Sequence, residues 1–261
     1  MGAAPATQTL EVNGHPVRVW RQGSGPRVGF LPGIGGLPRW TPFLEQLAAR
    51  HEVVAPSLPG LPGATGHDEL DSLFDWLLAT RDILLAAGLE GSDLVAVSAS
   101  GALAADVAAV WPGMVRRLAL IAPFGLFDAA EPATDIWALR PGHLPDFMCR
   151  DRETYKAFIE QPDDADPVEW KVEQMRALEA TARYLFPTGN TGLDKRLHRL
   201  ACPLLLLRGE ADRVIPRSYL ERMAALAGGA ARVEDIPAAG HLAELDEPAA
   251  VAAAIERFLG A

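Results

Sequence analysis

Residues 93–106 read DLVAVSASGALAAD: a short apolar run, two serines one residue apart, and a string of small residues of helical composition. The run Leu94 to Val97 has the continuous apolar character of a strand covered on both faces, and the segment from Ser100 reads as a helix. Ser98 therefore falls at a tight strand-to-helix turn. A serine held there projects its hydroxyl from the sheet edge, and the crowding asks for small residues two before and two after it. Ala96 and Ser100 meet that demand around Ser98; Ser98 and Ala102 meet it around Ser100. Register separates the two, because the run ends at Val97: Ser98 is the expected nucleophile and Ser100 a small packing residue. A helix beginning at Ala99 would aim its N-terminal N–H groups at the place where negative charge develops. Taken alone, the stretch is equally well explained by a strand-end serine that caps the next helix.

Outward from this turn the same alternation recurs. Short apolar runs bounded by Gly and Pro stand at VRVW (17), VGFL (28), EVVAP (52), LVAV (94), RLALIAP (117), PLLLLRG (203) and RVEDIP (232). Helical stretches lie between them, from Trp40, Glu69, Ser100 and Ala249, the last with Val251, Ile255, Phe258 and Leu259 on one face. The pattern predicts an α/β fold with a mostly parallel central sheet flanked by helices. It breaks between about Phe124 and Arg199, where Pro, Asp, Glu and aromatic residues take over. A structureless loop of that length is improbable in a compact domain, so a helical cap insertion is expected over 124–199, with the core formed by 1–123 and 200–261. Within it DRETYKAFIEQ and VEWKVEQMRALEATARYL have helical composition, and QPDDADP, holding Asp163, Asp164 and Asp166, reads as a solvated turn.

The 261 residues suit one core with an insertion. A formal charge of -10 disfavours a nucleic-acid interface, and no apolar run approaches the roughly 20 residues of a membrane span. Two cysteines, Cys149 and Cys202, are too few for a disulfide framework or a zinc site. The first residues lack the basic region and apolar run of a secretory signal, so a cytoplasmic protein is expected.

A serine nucleophile needs a base, and the base an orienting carboxylate. Asp212 lies in a loop just past PLLLLRG, and His241 in a Gly-preceded loop just past RVEDIP. In a parallel sheet the C-terminal strand ends share one edge, where Ser98, Asp212 and His241 can converge. Asp128, after the strand ending near Ala122, is the rival carboxylate.

LVAVSASGALA, PLLLLRGEADRVIP and IPAAGHLAELDEPAAVAAAIERFL resemble the nucleophile elbow, acid loop and histidine loop of the α/β-hydrolase superfamily, its serine branch with a helical cap. The resemblance covers nearly the whole chain outside 124–199. It implies Ser98 as nucleophile, His241 as general base and acid, and Asp212 as orienter. FLPGIGG resembles the family's oxyanion loop, with Pro32 where His is usual, and implies the backbone N–H groups of Ile34 and Ala99 as the oxyanion hole. Ala96 and Ser100 stand where glycines are usual, and Ser57 where many relatives carry Asp. Trp40 and Leu126 are the substrate-pocket candidates.

The activity expected from this resemblance is hydrolysis of a small, mostly apolar carboxylic ester or related acyl compound through an acyl-enzyme. The alternatives are carbon–carbon bond hydrolysis of a vinylogous diketone and a low-turnover, hydrolase-like ligand receptor. The expected partner is a small-molecule substrate, with no cofactor, metal, nucleic acid or membrane; a homodimer is left open.

Overall fold

The computed structural model describes residues 4–140, 142–162, 165–187 and 189–260. Eight strands form one sheet: β1 (Ala6–Val12), β2 (His15–Gln22), β3 (Arg27–Leu31), β4 (Glu52–Pro56), β5 (Ser92–Val97), β6 (Val115–Ile121), β7 (Leu204–Gly209) and β8 (Ala231–Ile236), in the order β1-β2-β4-β3-β5-β6-β7-β8. From β4 to β8 every neighbouring pair is parallel, whereas β2 pairs antiparallel with both β1 and β4. The central strands are buried along almost their whole length, which is why they read as continuous apolar runs. β1 escaped the sequence reading for the opposite reason: it is an edge strand, exposed at most positions, whose ATQTLEV carries no apolar run.

The helices are α1 (Pro42–Ala48), α2 (Leu73–Ala86), α3 (Ser98–Val110), α4 (Pro145–Met148), α5 (Arg152–Phe158), α6 (Pro167–Leu185), α7 (Arg217–Leu226), α8 (Ala243–Asp246) and α9 (Pro248–Leu259). α2 starts at Leu73 rather than near Glu69, because Ser72 caps it: the Ser72 hydroxyl accepts the Asp75 N–H and the Asp75 carboxylate accepts the Ser72 N–H. α3 is buried on all sides, so its Ala-rich sequence has no polar face. α9 buries Val251, Ile255 and Leu259, as its periodicity predicts.

Between β6 and β7 the described residues form no strand. They hold α4, α5, α6 and three short 3₁₀ turns. α6 is amphipathic only over its second half, where Ala177, Ala180, Thr181, Tyr184 and Leu185 are buried and the Tyr184 ring lies 4.7 Å from that of Trp76 on α2. Asp163 and Asp164 lie outside the described residues. Asp166 is not simply solvated: its carboxylate caps α6 by accepting the N–H groups of Val168 and Glu169. The segment is also pinned by charge. Arg196 reaches the fully buried Asp106 on α3 at 2.5 and 3.0 Å, and the Thr191 hydroxyl donates to the same carboxylate.

Candidate active site

The site is assembled from loops that leave β3, β5, β7 and β8 at one sheet edge, because all four strands are parallel. After β5 the chain turns sharply into α3, and Ser98 takes φ +52°. That left-handed conformation is costly for a residue with a Cβ, on the order of 1–3 kcal/mol, and is held by packing around it. The turn needs close neighbours. A Cβ on Gly101 would sit 2.9 Å from Pro123 Cβ, so α3 lies against the end of β6 only because residue 101 is glycine. Ala96 and Ser100 are both fully buried, and their Cβ atoms are accommodated.

Ser98 Oγ lies 2.7 Å from His241 Nε2, and His241 Nδ1 lies 3.2 Å from Asp212 Oδ2. The second oxygen of Asp212 accepts the N–H groups of Val214 at 2.7 Å and Ile215 at 3.1 Å, which fixes the carboxylate plane. The ring of Phe124 stands edge-on to the imidazole at 5.9 Å. The structure thus brings together the three residues singled out in the sequence. Asp128 is not among them: it is exposed, and its carboxylate accepts the Ala130 N–H.

The loop after β3 runs Pro32 to Leu37. Gly36 N–H donates to Gly33 O at 3.0 Å, closing a turn with Ile34 and Gly35 at its centre, and Gly35 supplies the positive φ of +87°. A Cβ on Gly33 would come within 3.1 Å of Ser98 Cβ, so the loop backbone lies directly against the nucleophile candidate. The Ile34 N–H donates to no described group. Ala99, second residue of α3, has no carbonyl one turn back within the helix to receive its N–H.

Three features were not foreseen from sequence. Ser100 is more than a packing residue: its hydroxyl donates to the Pro32 carbonyl at 2.5 Å. Asp246 accepts the N–H groups of Gly240 and Arg150, tying the histidine loop to the segment after β6. Glu244, on the helix after His241, is 5% exposed, and its Oε2 has no partner among the described residues. It lines a narrow cavity with Pro32, Gly33, Ile34 and Phe158. Burial pushes its carboxyl up to about 8, partly offset by its own backbone N–H and reinforced by Asp246.

The two pocket candidates fall differently. Leu126 is buried beside Gly125, where the backbone bridges to Asn190. Trp40 packs edge-on against Trp20 and lines a cleft with Pro5, Thr7 and Trp20 that does not include Ser98 or His241. Ser57 donates its hydroxyl to the Pro62 carbonyl at 2.6 Å, a loop-closing bond. Cys149 is buried and Cys202 half-buried, and both are free thiols. Among the described residues no group of three or more His, Cys, Asp or Glu side chains is placed to hold a metal ion, and no helix is long and apolar enough to cross a membrane.

A serine in a sharp turn after β5, with an aspartate and a histidine past β7 and β8 of one largely parallel sheet, is the arrangement of the α/β-hydrolase class. The chain belongs to the alpha/beta hydrolase family, whose model matches residues 30–254. It is 27% identical to the dihydrolipoyllysine-residue acetyltransferase component of the acetoin cleaving system of Cupriavidus necator, over 99% of this chain and 70% of that protein. It is 26% identical to the 2-hydroxy-6-oxo-2,4-heptadienoate hydrolase of Pseudomonas putida, over 79% of this chain and 78% of that protein. Among solved structures it shares its fold with a Rhodococcus 2-hydroxy-6-oxo-6-phenylhexa-2,4-dienoate hydrolase (TM-score 0.75, 19% identity, all of both chains). A membrane phospholipase A has the same fold (TM-score 0.76, 24% identity, 98% of this chain and 86% of that one).

Proposed function

We propose that the protein is a serine hydrolase acting on a small, mostly apolar carboxylic ester or related acyl compound. The observation that carries this reading is the continuous chain Ser98 Oγ to His241 Nε2 to Asp212 Oδ2, at 2.7 and 3.2 Å, with the serine in the strained turn. His241 takes the Ser98 proton as Oγ bonds to the substrate carbonyl carbon, and Asp212 holds the Nδ1–H tautomer and favours the imidazolium. The carbonyl oxygen becomes an oxyanion facing the N–H groups of Ile34 and Ala99. The imidazolium protonates the leaving group as its bond to carbon breaks. His241 then takes a proton from water as the water oxygen bonds to the acyl carbon, and the imidazolium gives that proton to Ser98 Oγ as the acyl–Oγ bond breaks.

Ser98 and His241 are both fully buried. Tyr155 on α5 approaches the loop at Gly35, and Leu242 N–H donates to Met148 O across to the segment after β6. A substrate carbonyl reaches Ser98 only after some of these contacts open, so residues 124–199 act as a cap in this reading.

A second reading, hydrolysis of a carbon–carbon bond in a vinylogous diketone, is favoured by the likeness to the Pseudomonas putida enzyme named above and, at 24% identity over 88% of this chain, to a 2-hydroxymuconate semialdehyde hydrolase of a Pseudomonas species. The test is fluorophosphonate labelling with peptide mapping, in the wild type and His241→Ala, alongside turnover of p-nitrophenyl butyrate and a ring-cleavage dienoate. Label on Ser98 that vanishes in the variant, with ester turnover, supports the first reading. Label with turnover of the dienoate alone supports the second. A folded protein that takes no label and turns over neither sinks both and leaves the ligand-receptor reading.

A further inference from the structure

The loop from Pro32 to Leu37 has a hydrogen bond to the rest of the fold at each end. At its far end the Arg18 guanidinium donates to Leu37 O at 2.7 Å. At its near end the anchor is the Ser100 hydroxyl on Pro32 O, with both residues buried. Proline has no N–H and no polar side-chain atom, so residue 32 can be held through hydrogen bonding only at its carbonyl. That carbonyl shares a rigid peptide plane with the Gly33 N–H. Fixing its direction fixes the entry into the turn that presents the Ile34 N–H. The anchor comes from the helix that begins at Ser98, two residues after the nucleophile candidate. One rigid element therefore sets both the attacking oxygen and the loop opposite it.

We propose that Ser100 is a positioning residue for the oxyanion hole: its bond to Pro32 O holds the Ile34 N–H in line with the oxyanion formed at Ser98. The role rests on the serine-hydrolase reading. It predicts damage confined to the transition state, because a donor displaced by a fraction of an ångström still admits substrate but no longer meets the developing charge.

The experiment uses the full-length protein with Ser100→Ala and Ser100→Gly, rates being normalised to the amount of Ser98 that fluorophosphonate titrates. Both substitutions are smaller than serine, and each removes only the hydroxyl bond or the hydroxyl and its Cβ. Three quantities are read for each variant: kcat and KM on p-nitrophenyl butyrate, the inhibition constant of butylboronic acid, which forms a tetrahedral adduct on the serine, and that of butyrate. The expected result is a kcat lower by about tenfold to a hundredfold, part of the roughly 10²–10³ that losing a whole donor costs. KM should stay within about threefold, boronate affinity should fall in step with kcat/KM, and butyrate affinity should hold. Variants with wild-type kcat and boronate affinity overturn the role while leaving the hydrolase reading intact. So does a uniform fall in boronate and butyrate affinity together, which would mark a general packing effect. A wild type that neither takes the label nor turns over ester removes the hydrolase reading and this role with it.

Discussion

The carboxylate of Asp246 accepts the backbone N–H of Gly240 at 2.7 Å, one residue before His241, and with the same oxygen the N–H of Arg150 at 2.8 Å. The histidine loop is thus held from behind by the helix that follows it and stitched to the segment between β6 and β7. Replacing Asp246 with Ala leaves the buried Gly240 N–H without its acceptor, which costs about 1–3 kcal/mol, while the exposed Arg150 N–H can turn to water. Asp246→Ala should unfold at correspondingly lower denaturant in a urea titration, and kcat should fall several-fold because His241 loses its fixed approach. Unchanged stability and unchanged kcat would show that the bridge holds nothing.

Substitution of Asp212 by Asn separates chemistry from stability. In Asp212→Asn the side-chain oxygen can still accept the N–H groups of Val214 and Ile215, so the loop keeps its bonds. The amide nitrogen must then face His241 Nδ1, where it donates rather than accepts. This stabilises the tautomer with the proton on Nε2, facing Ser98, and leaves the serine without a base. Ester turnover should fall by about 10³–10⁴-fold, with a Tm close to that of the wild type. A drop of less than tenfold would mean Asp212 does not orient the base.

How much of this was legible in the sequence depends on what kind of signal each part leaves. β3 to β7 could be read because burial on both faces demands continuous apolar runs, and Ser98 and Asp212 because each follows such a run; His241 follows the half-buried β8, whose RVEDIP is bounded by a proline rather than continuous in apolar residues. β1 left no trace, since an edge strand facing water needs no apolar pattern. Ser100 was misjudged for a different reason. A serine in the first turn of a helix looks like any small residue until the fold brings Pro32 O within 2.5 Å, a pairing 68 residues apart. Asp246 and Glu244 look like two ordinary acids in AELDEP, and only the packing makes one a bridge and the other a buried carboxyl with one oxygen unpartnered among the described residues.

The pairing of Arg196 with Asp106 makes the segment after β6 answerable to the helix that carries Ser98. Asp106 is fully buried; burial raises its carboxyl pKa while the Arg196 bonds and charge pull it back. Removing the guanidinium strands a carboxylate in the interior, and breaking such a pair typically costs about 3–5 kcal/mol. Arg196→Met should therefore be strongly destabilised in guanidinium denaturation, whereas the double variant Arg196→Met with Asp106→Leu should recover most of the loss. If the single variant costs less than about 1 kcal/mol, the pair behaves as a surface contact and does not anchor the segment.

Glu244 gives the pH dependence its sign. Its carboxyl is raised from an ordinary 4.5 to about 8 by burial, so between those two values the folded protein binds a proton that the unfolded chain has released. The stabilisation is complete below pH 4.5, is lost progressively as pH rises toward 8, and is gone above it. Glutamine mimics the protonated acid and cannot ionise. Glu244→Gln should match the wild type at pH 5 and exceed it by at least about 1 kcal/mol at pH 9, since every tenfold fall in proton concentration between the two values weakens the wild type by about 1.4 kcal/mol. Urea midpoints measured for both proteins at pH 5, 7 and 9 test this. Parallel profiles at all three values would mean that Glu244 ionises freely in the folded protein, and the cavity behind Ile34 would then hold a charge.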